Sequence, residues 1–222
     1  MKIISKLLLS VVLMAAVVST TVRAEGLQDS VDQATVILKR FKEIPEKSIP
    51  EKVLRDASGL AILTVVKAGF VLSVRGGHGV VVARTSTTNG WSGPSAIATG
   101  GAGFGFQAGV QASELVLVLN TPAAVKAFSR GGNISLGTDL SVAAGPVGRN
   151  LAVDVAPTAA IYTYSKSQGL FAGISLEGTV IVTRDETNAE YYGKKVKVED
   201  ILKGKIPPPA GAQALIRELK KF

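Results

Sequence analysis

The chain has 222 residues, with 25 Lys and Arg against 17 Asp and Glu, no cysteine, and a net charge of +8. Without cysteine, the sequence excludes disulfides, thiolate metal sites, cysteine nucleophiles and lipidated cysteines. A charged fraction of 19% is too low for a disordered tail protein, and the length suffices for one domain with a sizeable core.

The first 24 residues have the composition of a secretory signal peptide. Three basic residues and no acidic one flank an apolar run from Leu7 to Val18, and Val22 and Ala24 are small residues at the −3 and −1 positions. This pattern predicts cleavage after Ala24, and residues 25–222 as a single mature domain of charge +5. The alternative is an uncleaved anchor, although the run is shorter than the roughly 20 residues that cross a bilayer. We expect a bacterial-type envelope protein, periplasmic or secreted, with peripheral membrane association.

The remaining positive charge is concentrated at the C-terminal end. Residues 25–58 sum to −1, residues 59–190 to +1, and residues 191–222 to +5. A local excess of this kind attracts an anionic surface, with about 1 kcal/mol for each cation near an acidic membrane. The alternative is a solvated polar end that keeps the protein soluble. The basic residues of this end are Lys194, Lys195, Lys197, Lys203, Lys205, Arg217, Lys220 and Lys221.

The middle of the chain is rich in glycine and in short β-branched segments. Twenty of the 24 glycines fall between residues 59 and 178. Glycines punctuate apolar segments at 59–66, 79–85, 114–120, 159–165 and 170–183, a pattern typical of antiparallel strands with tight turns. A hairpin turn is expected at 88–90, because Asn and Gly tolerate positive φ. Glycines within strands at 100–106 indicate a barrel-like or strongly curved sheet, and both forms stay open.

Helices are predicted on both sides of this sheet, which makes the fold α+β. An apolar arc at 3.6-residue spacing predicts an amphipathic helix over 27–43. A short helix follows Ser48 with Pro50 in its first turn, and another runs from Thr121-Pro122 to about Ser129. A last amphipathic helix follows the three prolines at 207–209. The predicted fold is thus a glycine-rich antiparallel sheet or barrel-like core bracketed by N-terminal and C-terminal helices.

The sequence contains few residue patterns that are typical of a catalytic site. His78 is the only histidine, and without cysteine a zinc site would need carboxylates, so we predict a turn histidine and no metal or other cofactor. No Gly-x-Ser-x-Gly elbow occurs, and the glycines at 101, 103 and 105 do not have the spacing of a dinucleotide-binding loop. These observations predict a protein that is not an enzyme.

Nucleic-acid binding is not predicted either, despite a pI near 9.7. Export argues against it, and the basic end lacks an interleaved set of stacking aromatic residues apart from Tyr191-Tyr192. The other aromatic residues lie at positions that supply core volume, so we interpret most of them as structural.

Several stretches read in order resemble the SYLF lipid-binding domain family. Each one is weak alone, but together they extend over about residues 30–220. They are Ala57-Ser58-Gly59-Leu60-Ala61-Ile62-Leu63, Lys67-Ala68-Gly69-Phe70, Gly77-His78-Gly79-Val80-Val81-Val82-Ala83-Arg84, Gly90-Trp91-Ser92-Gly93-Pro94-Ser95, Leu136-Gly137-Thr138-Asp139, Ala143-Ala144-Gly145-Pro146-Val147-Gly148-Arg149, Tyr164-Ser165-Lys166-Ser167-Gln168-Gly169-Leu170-Phe171-Ala172-Gly173, Leu176-Glu177-Gly178 and Asn188-Ala189-Glu190-Tyr191-Tyr192-Gly193.

The resemblance implies a membrane-lipid-binding module without enzymatic activity. We expect it to bind anionic phospholipid head groups reversibly, through basic and amphipathic surfaces. In the N-terminal helix the apolar arc either enters the membrane interface or packs on the sheet. The alternative function is an envelope protein that binds another protein and has no direct lipid role, and a third is an enclosed pocket for a lipid tail. The candidate lipid-binding residues are Lys39, Arg40, Lys42, Lys194, Lys195, Lys197, Arg217, Lys220 and Lys221.

Overall fold

The computed structural model describes residues 26–43, 49–69, 72–87, 90–104, 109–130, 133–146, 159–168 and 179–222. The helices are α1 (Leu27–Glu43), α2 (Glu51–Asp56), α3 (Pro122–Ser129), α4 (Asp185–Tyr192), α5 (Val198–Leu202) and α6 (Gln213–Leu219), with a 3₁₀ turn at Ala210–Ala212 before α6. The strands are β1 (Gly59–Gly69), β2 (Leu72–Ala83), β3 (Ser95–Phe104), β4 (Gly109–Leu119), β5 (Asn133–Ser135), β6 (Val142–Ala144), β7 (Ile161–Gln168) and β8 (Val180–Thr183).

The eight strands form one sheet in the order β5-β8-β3-β2-β1-β4-β7-β6. Every pair is antiparallel except β6 with β7, which is parallel. The α+β prediction is confirmed, with this one departure from a purely antiparallel sheet. Because β5 and β6 end the order and do not pair with each other in the described residues, the sheet is open rather than a closed barrel.

Helices cover both faces of the sheet, and each face has its own core. Successive side chains of a strand point to opposite faces. Leu60 and Ile62 of β1 therefore pack under α1 and α6 on what we call the first face. Ala61 and Leu63 pack under α3 and α5 on the second face. This double burial explains why the strands contain continuous apolar runs instead of alternating ones.

Helix α1 has the bounds that its periodicity predicts, Leu27–Glu43. Its N-terminus is capped by Asp29, whose carboxylate accepts a hydrogen bond from the backbone N–H of Gly26 at 3.2 Å. Its apolar arc is buried in the first-face core rather than exposed. Of the two interpretations of the arc, the structure therefore favours packing on the sheet. The members of the arc are Leu27, Val31, Ala34, Leu38 and Phe41.

Two helices, α4 and α5, were not predicted from the sequence. Helix α4 has almost no apolar arc apart from Tyr191 and Tyr192, which pack against the first-face core. Polar contacts also hold it: the side chain of Asn188 accepts a hydrogen bond from the Ala96 backbone N–H at 2.7 Å and donates one to Ser95 Oγ at 2.9 Å. Asn188 is fully buried. Hydrophobic periodicity cannot reveal a helix that is positioned in this way.

Local details differ from the prediction at two points. His78 lies within β2 and not in a turn. Pro50 is the N-cap of α2 rather than part of its first turn. In the predicted hairpin turn, residues 88 and 89 lie outside the described residues, while Gly90 has the expected positive φ of 69°. Helix α3 begins as predicted, with the Thr121 hydroxyl accepting a hydrogen bond from the Ala124 N–H at 3.1 Å.

Candidate functional site

Basic residues from the two ends of the chain meet where α1 and α6 end. Lys221 Nζ lies 2.8 Å from each carboxylate oxygen of Glu218, whose side chain is only 10% exposed. The hydrogen bond from Lys221 holds the pKa of Glu218 below its usual value, and the charges of Lys39 and Lys42 act in the same direction. Lys221 thus pairs with Glu218, and Lys39 and Lys42 add positive charge around this carboxylate, with Glu51 as a further acidic neighbour of Lys42.

An aromatic ring completes this group. The Lys42 ammonium lies 3.9 Å from the centroid of the Phe222 ring, the geometry of a cation–π contact. Burial lowers the pKa of Lys42, and the charge of Glu218 partly offsets that effect. We call Lys39, Lys42, Glu218, Lys221 and Phe222 the basic cluster. Arg217 and Lys220 are exposed near the same end of α6.

The end of α6 is held in place by Arg84 and Trp91, just after β2. The Trp91 indole N–H donates a hydrogen bond to the Leu219 carbonyl at 3.1 Å. The Arg84 guanidinium stacks over the Trp91 ring at 4.4 Å and donates to the carbonyls of Leu54 at 3.1 Å and Phe222 at 3.5 Å. These contacts fix the position of the chain from Leu219 to Phe222, which includes two members of the basic cluster. Sequence reasoning assigned no role to Arg84, since its partners are backbone carbonyls that are remote in the chain.

Arg40, a predicted lipid-binding residue, contacts the sheet. It forms an ion pair with Glu114 of β4 and so attaches α1 to the sheet. Its side chain is 42% exposed and that of Glu114 is 17% exposed. The second carboxylate oxygen of Glu114 is buried without a hydrogen-bond partner. Arg40 therefore attaches α1 to the sheet, and its role in lipid binding stays a prediction.

The Arg40 contact belongs to a polar row that fastens α1 across three neighbouring strands. The sheet partners, His78 of β2, Thr64 of β1 and Glu114 of β4, are directly opposite one another in the register. We call these contacts the docking row. They are Ser30 Oγ with His78 Nδ1 at 3.1 Å, Thr64 Oγ1 donating to Gln33 Oε1 at 3.0 Å, and Arg40 with Glu114.

Lys194, Lys195 and Lys197 lie apart from the basic cluster in sequence and in packing. They are exposed in the segment between α4, which packs beside α1, and α5, which packs on the second face. Nearby, Lys203 pairs with Glu199 at 2.5 Å and Lys205 with Asp200 at 2.9 Å. The predicted basic residues thus form three groups. Arg217 and Lys220 lie near the basic cluster, Arg40 pairs with Glu114, and a separate segment contains Lys194, Lys195 and Lys197.

Within the described ranges, no three His, Asp or Glu residues are placed to hold a metal ion. In that same part of the chain, no helix is both long and apolar enough to cross a membrane.

The chain is similar in sequence to known proteins of one family. The sequence model of the Ysc84 family, described as a Las17-binding protein actin regulator, matches residues 100–222. The SH3 domain-containing YSC84-like protein 1 of Homo sapiens is 48% identical over 204 residues, which cover 89% of this chain and 59% of that protein. LAS seventeen-binding protein 3 of Saccharomyces cerevisiae is 46% identical over 179 residues, 79% of this chain and 39% of that protein.

These comparisons bear on the sequence-based expectations in two ways. The chain spans at most about three fifths of the length of these relatives. The relatives come from an animal and a yeast, so they lend no support to a specifically bacterial form of the domain.

Proposed function

The chain belongs to the Ysc84 family, the SYLF domain family, and on that premise we propose that it is a non-enzymatic module that binds anionic membrane phospholipids reversibly. The observation that carries the proposal is the basic cluster, in which Lys221 pairs with Glu218, Lys42 lies over the Phe222 ring, and Lys39 adds a third positive charge near Glu218. Each cation near an acidic membrane contributes about 1 kcal/mol, so a few acting together suffice for weak, reversible attachment.

The mode of contact follows from the burial of α1. Its apolar arc is part of the first-face core, so insertion of that arc would require α1 to leave the sheet and break the docking row. The basic cluster is accessible without such a change, because Lys39, Lys42 and Lys221 are exposed. We therefore expect attachment by this cluster to depend strongly on salt, which screens charges over about 10 Å at 0.1 M.

Vesicle co-sedimentation tests this proposal. We expect the protein to sediment with phosphatidylglycerol vesicles at low salt and to remain in solution with phosphatidylcholine vesicles. The variant K39Q/K42Q/K221Q removes the three cations of the basic cluster and should weaken binding about tenfold or more. K194Q/K195Q/K197Q is the matched control, because it removes the same charge from the separate segment.

The outcomes separate the parts of the proposal. Equal, negligible sedimentation with both lipids would exclude lipid binding. A larger loss in the control than in the cluster variant would move the contact to Lys194, Lys195 and Lys197 and contradict its assignment to the cluster.

The second candidate function is a protein-binding module with no direct lipid role. Its support is the description of the family as Las17-binding and the same wording in the name of the yeast relative. A pull-down with the chain and with a variant in which the eight C-terminal cations are neutralised separates the two functions. Capture of a partner that survives neutralisation, together with no binding to vesicles, would favour the protein-binding function.

The cellular location is a separate part of the proposal and rests on the first 24 residues. We infer that the chain is exported and cut after Ala24, to act in an envelope space. Mass spectrometry of the protein purified from its native source tests this, because a mature chain that keeps residues 1–24 would contradict it.

A further inference from the structure

Glu218, the acidic member of the basic cluster, occupies a position that stability alone does not favour. It lies in the last turn of α6, where the helix dipole disfavours a negative charge. Its side chain is only 10% exposed, and the withdrawal of a carboxylate from water has a cost in free energy. Departures from these local rules are expected where a residue serves the function of a protein rather than its stability.

Glu218 engages one lysine of the cluster, Lys221. The Lys221 ammonium donates to both carboxylate oxygens at 2.8 Å, which uses two of its three N–H donors. The two partners differ in freedom of movement. The Lys221 side chain is 56% exposed and has a flexible four-carbon stem, whereas α6 is fixed in the first-face core through Leu215 and Leu219. In an exchange of partners, Lys221 is therefore the group that moves.

Lys39 and Lys42 lie beside this pair with exposed side chains. After the hydrogen bond from Lys221, their charges also hold the pKa of Glu218 below its usual value. Burial lowers the pKa of Lys42, the charge of Glu218 raises it, and the charge of Lys221 lowers it again. The four side chains thus act on one another. A phosphate that approaches Lys39 and Lys42 gains Lys221 as well only by competing with Glu218.

We propose that Glu218 determines which anionic surfaces the basic cluster binds. A dense layer of lipid phosphates draws Lys221 away from Glu218 and gains a third cation, whereas on a weakly anionic surface Lys221 stays paired with the fixed carboxylate. The inference rests on the proposed function of lipid binding. It assigns to one residue the selectivity between strongly and weakly anionic bilayers.

Co-sedimentation with vesicles of rising phosphatidylglycerol content in phosphatidylcholine tests this selectivity. Glu218→Gln releases Lys221 and should strengthen binding about fivefold, the factor that corresponds to the roughly 1 kcal/mol that one cation contributes. The gain should be largest at a low phosphatidylglycerol content, so that binding begins there and rises less steeply. Glu199→Gln is the matched control, because it breaks the pair of Glu199 with Lys203 on α5 and should leave binding unchanged.

Two double variants separate the release of Lys221 from a change in net charge. E218Q/K221Q and E218Q/R217Q both have the net charge of the unaltered chain, and both change two residues at the end of α6. E218Q/K221Q should lose the whole gain, because the released lysine is gone. E218Q/R217Q should keep most of it, because Lys221 is still released.

A measurement on the unaltered chain makes the test independent of the stability of the variants. NMR titration with short-chain phosphatidylglycerol should shift the carboxylate ¹³C resonance of Glu218 and the ammonium ¹⁵N resonance of Lys221 together, as the pair opens. The corresponding resonances of Glu199 and Lys203 are the reference and should not shift.

The outcomes distinguish this inference from the proposed function. Equal binding by Glu218→Gln and the unaltered chain, or a Glu218 resonance that stays constant while lipid binds, would overturn the inference and leave the proposed function intact. An equal loss of the gain in the two double variants would also overturn it, since net charge alone would then explain the effect. No sedimentation of any variant with any vesicle would overturn the proposed function itself.

Discussion

The covered half of the sheet and its open end consist of the same strands, but they differ in what lies against them. In the covered half, β1 contains Leu60 and Ile62 under α1 and Ala61 and Leu63 under α3, so consecutive residues are apolar. Beyond the docking row, none of the helices in the described ranges covers the first face, and exposed Val66 is followed by Lys67. The difference shows that one strand can be buried on both faces along half its length and exposed on one face along the other half.

The largest expected contrast is between two glycines, one in each region. A Cβ at Gly79 would collide with the backbone carbonyl of Ile62 and lie 2.8 Å from Leu63 Cα, whereas a Cβ at Gly100 meets nothing within 4 Å. We expect Gly79→Ala to lower the free energy of unfolding by about 3 kcal/mol or more, because a paired strand cannot move aside. Gly100→Ala should change it by no more than about 0.5 kcal/mol. Urea unfolding measures both, and equal costs would remove the distinction between the two regions.

An intermediate effect is expected at the docking row, where the covered half ends. Arg40→Gln leaves the Glu114 carboxylate, whose side chain is 17% exposed, without its ion partner. Because the pair is only partly buried, we expect a loss of about 1–2 kcal/mol in the free energy of unfolding. Arg217→Gln, on the exposed side of α6, is the control and should have almost no effect. A loss no larger than that of the control would show that the contact does not hold α1.

The smallest expected effect concerns Tyr191, at the edge of the first-face core. Burial, with the charge of Asp32 as a second cause, raises the pKa of Tyr191 to about 12 from 10.0. The folded state thus disfavours the phenolate. The contribution of Tyr191 to the free energy of unfolding is therefore fully present below pH 10 and is lost as the pH rises towards 12. After a discount for the half-exposed side chain, Tyr191→Phe should reduce the fall in melting temperature across that range by about 2–3 °C.

Tyr192 provides the comparison at neutral pH. The Tyr191 hydroxyl is buried without a hydrogen-bond partner, whereas the Tyr192 hydroxyl donates to the Pro94 carbonyl at 2.9 Å. Tyr191→Phe should therefore cost nothing at pH 7, and Tyr192→Phe about 1 kcal/mol. An alkaline melting curve unchanged by Tyr191→Phe would contradict the role assigned to its pKa.

Sequence reasoning succeeded where local patterns decide structure. The arc from Leu27 to Phe41 predicted α1, Thr121-Pro122 predicted the start of α3, and glycine-punctuated apolar runs predicted the sheet. It failed for α4, where a buried Asn188 provides the fixing contacts, and for His78, whose glycine neighbours resembled a turn. In both cases the deciding partner is remote in the chain.

The candidate site was predicted in part. The sequence identified Lys39, Lys42 and Lys221 as basic residues of two amphipathic helices, but Glu218 and Phe222 gained their roles only through packing. It also grouped Arg40 with these lysines, although Arg40 pairs with Glu114 of β4, 74 residues away. A side chain's charge is visible in the sequence, whereas its partner is not.

The sequence by itself determined the α+β class, the family and the positions of the positive charge, because periodicity, glycine placement and composition are local properties of the chain. Only the tertiary structure decided that the arc of α1 is buried, that both ends of the chain build one basic cluster, and that Val66, Val74 and Val110 are exposed. The physical reason is that strand register and helix docking depend on contacts between residues tens to hundreds of positions apart, which no local pattern encodes.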